Sequence, residues 1–223
     1  MHNLTICNLT KSFGKHTVLN TISITCNTGE IIGIFGRNGS GKSTMLKCLF
    51  GTLKADSLQI RIDEENILPQ EVITDKRIGY LPQNSFLPKE KTVRQIIPLL
   101  FPNGAQQDRI FYSEGIYKIE NRKIGKLSLG ELRYLEVLLL AHLDHQFLLL
   151  DEPFSMIQPI YKDQIKELLL SLKEKKGIFI TDHYYDDVLG ITDYNILIKN
   201  GDAVVITNKS DLKEHGYLTS TIN

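Results

Sequence analysis

The chain has 223 residues, and its 26 Lys and Arg balance 26 Asp and Glu, so its formal net charge is zero. This length suits one large domain with a real hydrophobic core, and a neutral chain lacks the overall field that draws a protein to nucleic acid or to lipid. Hydrophobic residues at 42% and charged residues at 23% exclude a wholly disordered chain.

The cysteines and the N-terminus bear on the compartment. Cys7, Cys26 and Cys48 are far apart and form no CxxC pair, which favours a reducing compartment over a disulfide framework. The first residues lack the positive and apolar regions of a secretory signal, and no run of about 18 apolar residues follows. We therefore expect a cytoplasmic protein without a membrane span.

The first predicted elements are strands. LTICNLTKSF and TVLNTISITC, which precede Gly29, alternate partly between apolar and polar residues and are rich in Thr and Ile, as is LQIRID at residues 58–63. Residues of these types favour a half-buried pleated surface. A small antiparallel sheet is predicted near the start of the chain.

A phosphate-binding loop follows the apolar run EIIGIF at residues 30–35. Residues 36–43 fit GxxxxGK[ST] and open a predicted helix that ends near Gly51. Glycines let successive backbone N–H groups surround phosphate oxygens, a lysine reaches the β- and γ-phosphates, and a serine binds Mg²⁺. Lys42 is expected to be an exposed loop side chain. The candidate nucleotide ligands are Gly36, Asn38, Gly39, Gly41, Lys42, Ser43 and Thr44.

Further apolar runs at residues 78–81, 147–150, 178–180 and 196–198 alternate with helical stretches. This alternation predicts a parallel sheet covered by helices. Pro88, Pro98 and Pro102 punctuate residues 84–128 and favour a helical insertion there. The leucine-rich segment 131–144 is interpreted as a packing helix and residues 173–176 (KEKK) as a solvated helix end. Residues 210–223 are expected to form a short helix with a loose end.

Two adjacent carboxylates, Asp151 and Glu152, follow the run FLLL. An aspartate at such a strand end can hold Mg²⁺ through water, and a second carboxylate can orient or deprotonate an attacking water. The alternative is that one of them only caps the following turn. Beside a phosphate loop, the catalytic interpretation is favoured.

The order of these motifs resembles the ATP-binding cassette (ABC) ATPase family over nearly the whole chain. LSLGE at residues 127–131 is similar to the family's LSGGQ signature, and GYLPQ at residues 79–83 resembles its glutamine loop. TDH at residues 181–183 resembles its switch histidine, and Phe13 matches its adenine-stacking aromatic. Taken alone, Gln83 could be an exposed turn residue, His183 a structural histidine and Phe13 a core aromatic.

The resemblance implies a P-loop NTPase core of the α/β class with an antiparallel β-subdomain and an inserted helical subdomain. Residues 1–223 would form one domain, with the helical subdomain at about residues 84–130. It also implies that Glu152, His183 and Gln83 are catalytic, that Ser43, Gln83 and Asp151 hold Mg²⁺, and that Phe13 binds ATP. Ser128 and Gly130 would contact ATP held by a second subunit, because family members hydrolyse ATP as dimers.

The function implied is that of the ATPase subunit of an ABC transporter, peripheral on the cytoplasmic face of the membrane. Its partners would be an integral membrane permease and an identical or different ABC ATPase, but not nucleic acid. The permease would dock near Gln83, on a surface of this chain that includes residues 84–87. Leu129 departs from the family's glycine, a position that could require positive φ, and the usual D-loop aspartate is absent from residues 155–158. These departures leave a nearly inactive regulatory ABC subunit as one alternative, and a soluble non-transport ABC ATPase is the other.

Overall fold

The computed structural model describes residues 1–218 of the chain. Within them the strands are β1 (Asn3–Phe13), β2 (His16–Asn27), β3 (Ile31–Phe35), β4 (Ser57–Ile62), β5 (Glu65–Ile67), β6 (Ile78–Leu81), β7 (Phe147–Asp151), β8 (Gly177–Thr181), β9 (Tyr194–Lys199) and β10 (Asp202–Ile206). The α-helices are α1 (Lys42–Leu49), α2 (Val72–Asp75), α3 (Val93–Leu100), α4 (Gly104–Phe111), α5 (Ile116–Ile119), α6 (Leu129–His142), α7 (Pro159–Leu172), α8 (Tyr185–Leu189) and α9 (Lys209–Glu214). The last five residues of the predicted domain, and with them the predicted loose end, lie outside the described residues.

The antiparallel sheet predicted near the start is confirmed. Its order is β2-β1-β4-β5 among the described strands. In β1 the side chains of Leu4 and Ile6 are buried while Thr5 between them is partly exposed, which is the alternation expected when one face of a sheet packs on a core. This sheet lies over one side of the second sheet, because both contribute to one buried cluster.

The second sheet has the order β10-β9-β3-β8-β7-β6 among the described strands. Its strands from β9 to β6 are parallel, and β10 returns antiparallel to β9. Every residue of β3, β7 and β8 is buried, as expected for strands covered on both faces. The five apolar runs predicted as strands are confirmed. The carboxyl ends of β3, β6, β7 and β8 meet at one edge of this sheet, where ligands bind in open α/β folds.

Helices α3, α4 and α5 follow β6 and precede β7 along the chain. A capping box of Thr92 and Gln95 begins α3, where each side chain satisfies a backbone N–H that the first helical turn leaves free. Pro98, one of the prolines that punctuate this region of the sequence, lies inside α3. Leu87, expected on a docking surface, is instead buried in the main core.

Helix α6 is the packing helix predicted from its leucines. It contacts α7 and shares a buried cluster with the buried residues of α3, α4 and α5. The prediction for residues 173–176 is wrong at Lys176, which is buried and donates to the carbonyl oxygens of Leu143, at 2.8 Å, and His145. Burial lowers the pKa of Lys176. The amine therefore joins β8 to the end of α6 instead of lying in solvent.

Candidate active site

The loop of residues 36–41 connects β3 to α1. Gly41 precedes the helix with φ 107, and a Cβ built on it would lie 2.8 Å from side-chain carbons of Val18 and Leu19. Glycine is required there for both conformation and space. The N–H groups of the first turn of α1 lack intrahelical acceptors, and such groups at a helix N-terminus suit phosphate binding. The cleft has a volume of about 350 Å³ and is lined by Asn38, Gly39, Ser40, Gly41, Lys42, Ser43, Thr44, Gln83, Glu152 and His183.

Lys42 is not the exposed loop residue that the sequence suggested. It is the first residue of α1, only 6% of it is exposed, and its Nζ donates to the carbonyl oxygens of Gly36 at 2.7 Å and Arg37 at 3.3 Å. Burial lowers the pKa of Lys42, and the carboxylates of Glu152 and Asp151 oppose that change. The ammonium is thus held at the loop's own carbonyl groups, beside the place where phosphates would bind.

Asp151 is the last residue of β7 and is buried. Its Oδ1 accepts from Ser43 Oγ at 3.0 Å and from Thr181 Oγ1 at 2.8 Å, and its Oδ2 accepts from Tyr80 OH at 3.2 Å. These donors come from α1, β8 and β6. They meet because β7 lies between β6 and β8 in the sheet, with Asp151 in register with Thr181.

Glu152 follows with a backbone φ of 55. This left-handed conformation costs energy for a residue with a side chain, and such residues cluster at functional sites. Its N–H donates to Thr181 O at 2.8 Å. Its Oε1 accepts from Gln83 Nε2 at 3.0 Å and lies 2.9 Å from His183 Nε2. The three predicted catalytic side chains therefore meet, because Gln83 and His183 both contact one carboxylate oxygen of Glu152.

A second buried aspartate connects the loops that follow β7 and β8. Asp182 accepts from the N–H groups of Phe154 at 2.7 Å and Tyr184 at 3.0 Å, and from Ser155 Oγ at 3.2 Å. Burial raises its pKa, and these hydrogen bonds oppose that change. Because Ser155 Oγ also lies 3.3 Å from Glu152 Oε2, Asp182 fixes the loop that carries Glu152.

The sequence did not assign roles to Tyr80, Thr181 or Asp182, although all three lie within or beside recognised motifs. A signal was available for Tyr80 and Thr181. Each lies at or near the carboxyl end of a strand that neighbours β7, and parallel neighbours bring such ends together. Their recognition required the strand order, which the sequence does not contain.

Four predicted nucleotide ligands do not line the cleft: Phe13, Gly36, Ser128 and Gly130. The ring of Phe13 is 51% exposed at the end of β1, with Lys11 Nζ 5.0 Å from its centroid. Ser128 caps α6 by accepting from Glu131 N at 3.2 Å, and Gly130 is buried against the ring of Tyr161. Leu129 begins α6 with the negative φ of a helical residue. The suggestion of positive φ at Leu129 is wrong, and its 62% exposed side chain is what remains unusual.

The donor set fits Mg²⁺. Ser43 Oγ lies 3.0 Å from Asp151 Oδ1 and 3.1 Å from Gln83 Nε2, so a hydroxyl, a carboxylate and a side-chain amide are adjacent. Such oxygen-bearing groups suit a hard cation that keeps water and phosphate as its other ligands.

No helix of the described residues is long and apolar enough to cross a membrane.

Comparison with known proteins identifies ATP-binding proteins of ABC transporters as relatives of this chain. The family model described as "ABC transporter" matches residues 19–155. The lipopolysaccharide export system ATP-binding protein LptB of Haemophilus influenzae is 31% identical over 216 residues, which cover 92% of this chain and 90% of LptB. LptB of Escherichia coli gives the same values. A probable ABC transporter ATP-binding protein of Azorhizobium caulinodans is 31% identical over 88% of this chain and 74% of its own length.

Solved structures show the same architecture. A nucleotide-free ATP-binding cassette from an ABC transporter superposes with a TM-score of 0.82 at 24% identity, covering 98% of this chain and 96% of the cassette. The ADP conformation of an ATP-binding cassette superposes with a TM-score of 0.81 at 25% identity, covering 96% of this chain and 94% of the cassette. The α/β core with its P-loop is thus the cassette fold.

Proposed function

The chain belongs to the ABC transporter family of ATP-binding proteins, and on this premise we propose that it hydrolyses ATP in the described cleft and drives a membrane permease that is a separate chain. One observation carries the proposal. Ser43, Gln83, Asp151, Glu152 and His183 come from four separate parts of the sequence and converge at one end of the sheet. Structural packing alone does not require Gln83 and His183 to share the partly buried carboxylate of Glu152.

Glu152 is proposed as the general base. Its carboxylate would accept a proton from the attacking water, a task that needs hydrogen-bond distance to that water. In the structure Gln83 and His183 occupy Glu152 Oε1. Both side chains must turn away from Glu152 for that oxygen to accept from water. His183 is then free to hold the γ-phosphate, so the same movement would prepare both groups.

Mg²⁺ would be held by Ser43, with Gln83 and Asp151 completing the protein side. When bound there, Mg²⁺ would supply positive charge that offsets the negative charge developing during phosphoryl transfer. Tyr80 and Thr181 keep the Asp151 carboxylate in place through their hydrogen bonds. Lys42 would leave the Gly36 carbonyl for the β- and γ-phosphates.

The adenine would stack on Phe13, whose exposed ring lies at the end of β1. Ser128 and Gly130 do not reach the cleft of their own chain, so their proposed contact with ATP needs a second ATPase subunit, identical or different. We keep residues 1–223 as one domain, with its helical subdomain at about residues 84–130, as part of this proposal.

An apolar groove beside the Gln83 loop is the proposed permease dock. It has a volume of about 140 Å³ and is lined mainly by Phe50, Ile73, Ile78, Tyr80, Phe86, Leu100, Leu139, Leu140 and Leu143. Phe86 is 47% exposed, and an exposed apolar group beside a groove favours association. The subunit would then lie peripherally on the cytoplasmic face of the membrane, and its zero net charge gives it no general attraction to nucleic acid.

The test is co-purification from membranes in mild detergent. The tagged chain should bring a polytopic membrane protein with it, and Phe86→Glu should lose that partner. Val205→Glu is the matched control, because Val205 is also apolar and exposed but lies on β10. Recovery of the partner with Phe86→Glu would place the dock elsewhere. Recovery of no membrane protein with the unaltered chain would contradict the transporter assignment.

A second candidate is a nearly inactive regulatory ABC subunit. The exposed side chain of Leu129, which replaces the family's signature glycine, favours it, because leucine there would crowd the nucleotide of a second subunit. Turnover of the purified chain separates the two functions. An ATPase rate that disappears in Glu152→Gln supports the first, and tight ATP binding without turnover supports the second.

A further inference from the structure

The loop after β6 is held by side chains of α6. Arg133 donates from Nη1 to Pro82 O at 2.8 Å and from Nη2 to Gln83 O at 2.5 Å. Within residues 1–218, no backbone–backbone hydrogen bond holds residues 82–86. The carbonyl groups on either side of the Gln83 α-carbon are thus satisfied by one guanidinium. The planar fork of arginine suits two neighbouring acceptors, which a lysine cannot reproduce.

Glu136, one helical turn later, completes the arrangement. Its Oε2 lies 3.3 Å from Arg133 Nη1, and its Oε1 accepts from Phe86 N at 3.3 Å. Only 1% of Glu136 is exposed. A carboxylate so deeply buried is costly unless it is paired and hydrogen-bonded, and here both of its oxygens have partners. Burial raises the pKa of Glu136, and Ser85 and Arg133 oppose that change.

The position of this loop decides where the Gln83 amide lies. Gln83 is exposed, so packing does not fix its side chain, and its Nε2 reaches Ser43 Oγ at 3.1 Å and Glu152 Oε1 at 3.0 Å. Leu87 anchors the loop's far end in the core. Between Leu81 and Leu87, Arg133 and Glu136 are the side chains of α6 that bond to the loop backbone.

We propose that Arg133 and Glu136 are positioning residues for Gln83: they hold the loop backbone at residues 82, 83 and 86, and thereby set the distance from the Gln83 amide to Ser43 and Glu152. This inference rests on the proposed role of Gln83 in hydrolysis and metal binding. Because α6 begins directly after Ser128, a shift of the helix would carry both the signature segment and the Gln83 loop. Arg133 and Glu136 would thus position the Gln83 loop, whereas the leucines of the same helix pack in the core.

The experiment compares Arg133→Gln with Arg133→Lys in ATP turnover and in binding of a fluorescent ATP analogue, with Mg²⁺ and with EDTA. We expect Arg133→Gln to lower kcat about 10- to 100-fold, since displacement of a positioned group by an ångström costs that much. Half-saturating Mg²⁺ for analogue binding should rise, while affinity in EDTA stays within about twofold. Arg133→Lys should be intermediate, because a single ammonium reaches only part of the acceptor set.

Controls address folding. Arg133→Gln leaves the Glu136 carboxylate buried without its cation and could unfold the chain, so the double variant Arg133→Gln/Glu136→Gln is made as well. It removes both charges and should show the same functional loss with a thermal midpoint nearer that of the unaltered chain. Arg94→Gln breaks an ion pair with Glu120, at 3.1 Å, away from this loop, and should leave kcat and the Mg²⁺ requirement unchanged.

The decisive step is a cycle with Gln83→Ala. If Arg133 acts through Gln83, Arg133→Gln has no further effect on kcat or on the Mg²⁺ requirement in the Gln83→Ala background. Equal losses in both backgrounds would overturn the positioning role, as would folded Arg133 variants with normal Mg²⁺ dependence. If Gln83→Ala itself changes neither quantity, the proposed role of Gln83 fails, which is a different result.

Discussion

Gly130, the second residue of α6, faces the aromatic ring of Tyr161 on α7. A Cβ built on Gly130 would lie 2.2 Å from Tyr161 Cδ2, 2.7 Å from Cε2 and 2.9 Å from Cγ. Real Cβ atoms do not approach other atoms so closely, and Cγ is near the backbone, so the ring cannot simply rotate away. Gly130→Ala must therefore displace Tyr161 or the start of α6.

Two effects of opposite sign set the size of this change. Overpacking a filled site costs about 1 to 3 kcal/mol, whereas alanine in place of glycine in a helix gains up to about 1 kcal/mol. Gly130→Ala should thus lower the free energy of unfolding by about 1 kcal/mol and the midpoint by about 2 to 4 °C for a chain of this size. With Tyr161→Ala present only the helical gain remains, and the same change should stabilise the protein.

The assay is urea and thermal unfolding of the nucleotide-free chain, the two single variants and the double variant. The coupling between Gly130→Ala and Tyr161→Ala should reach about 1 to 3 kcal/mol. Gly104→Ala is the matched control, because a Cβ at Gly104 in α4 meets nothing within 4 Å, and it should be neutral or stabilising. An equal loss from Gly130→Ala with and without Tyr161 would refute the steric argument.

Further predictions concern nucleotide binding, turnover and pH. Lys42→Ala should weaken ATP binding by about 10- to 100-fold, the worth of a charge-assisted contact, in a fluorescence titration, and an unchanged affinity would contradict the phosphate-loop role. Glu152→Gln should keep ATP binding and slow phosphate release by about 10² to 10⁴; a normal rate would leave Glu152 as a structural residue. Leu129→Gly should raise ATP-dependent dimerisation, measured by size exclusion with Glu152→Gln present, because the exposed leucine no longer crowds the second subunit; an unchanged or lower dimer fraction would contradict this. Burial lowers the pKa of both His142 and His145 below the ordinary 6.5, so the unfolded chain binds more protons near that pH and stability should fall as the pH drops from about 7 to 5. The double variant His142→Gln/His145→Gln should flatten that profile in urea unfolding, and an unchanged slope would assign it to other groups.

Local patterns identified the elements of the sheet and the phosphate loop. The runs at residues 30–35, 78–81 and 147–150 were recognisable because a strand buried on both faces requires continuous apolar residues. The loop of residues 36–43 was recognisable because phosphate binding requires glycine, lysine and serine at fixed spacing in contiguous chain. Both are short-range requirements, so they are written directly in the sequence.

The same reasoning failed where environment decides the role of a side chain. Lys42 and Lys176 are lysines in polar segments, yet both are buried because backbone carbonyl groups meet their amines. Arg133 and Glu136 lie in a helix predicted to serve packing only. Their hydrogen bonds to the backbone of residues 82, 83 and 86, like that of Lys176 to Leu143, join residues more than 30 positions apart, which no local pattern reports.

The fold class, the order of motifs and the residue types available for chemistry could thus be predicted from the chain alone. Which of these residues meet depends on the folded arrangement: Ser43 and Asp151 are 108 positions apart in the chain and 3.0 Å apart in space. The reason is the strand order β3-β8-β7-β6, which depends on long-range pairing and gathers the carboxyl ends of four strands at one edge. That edge places Glu152 between Gln83 and His183, and α6 beside it holds the Gln83 loop.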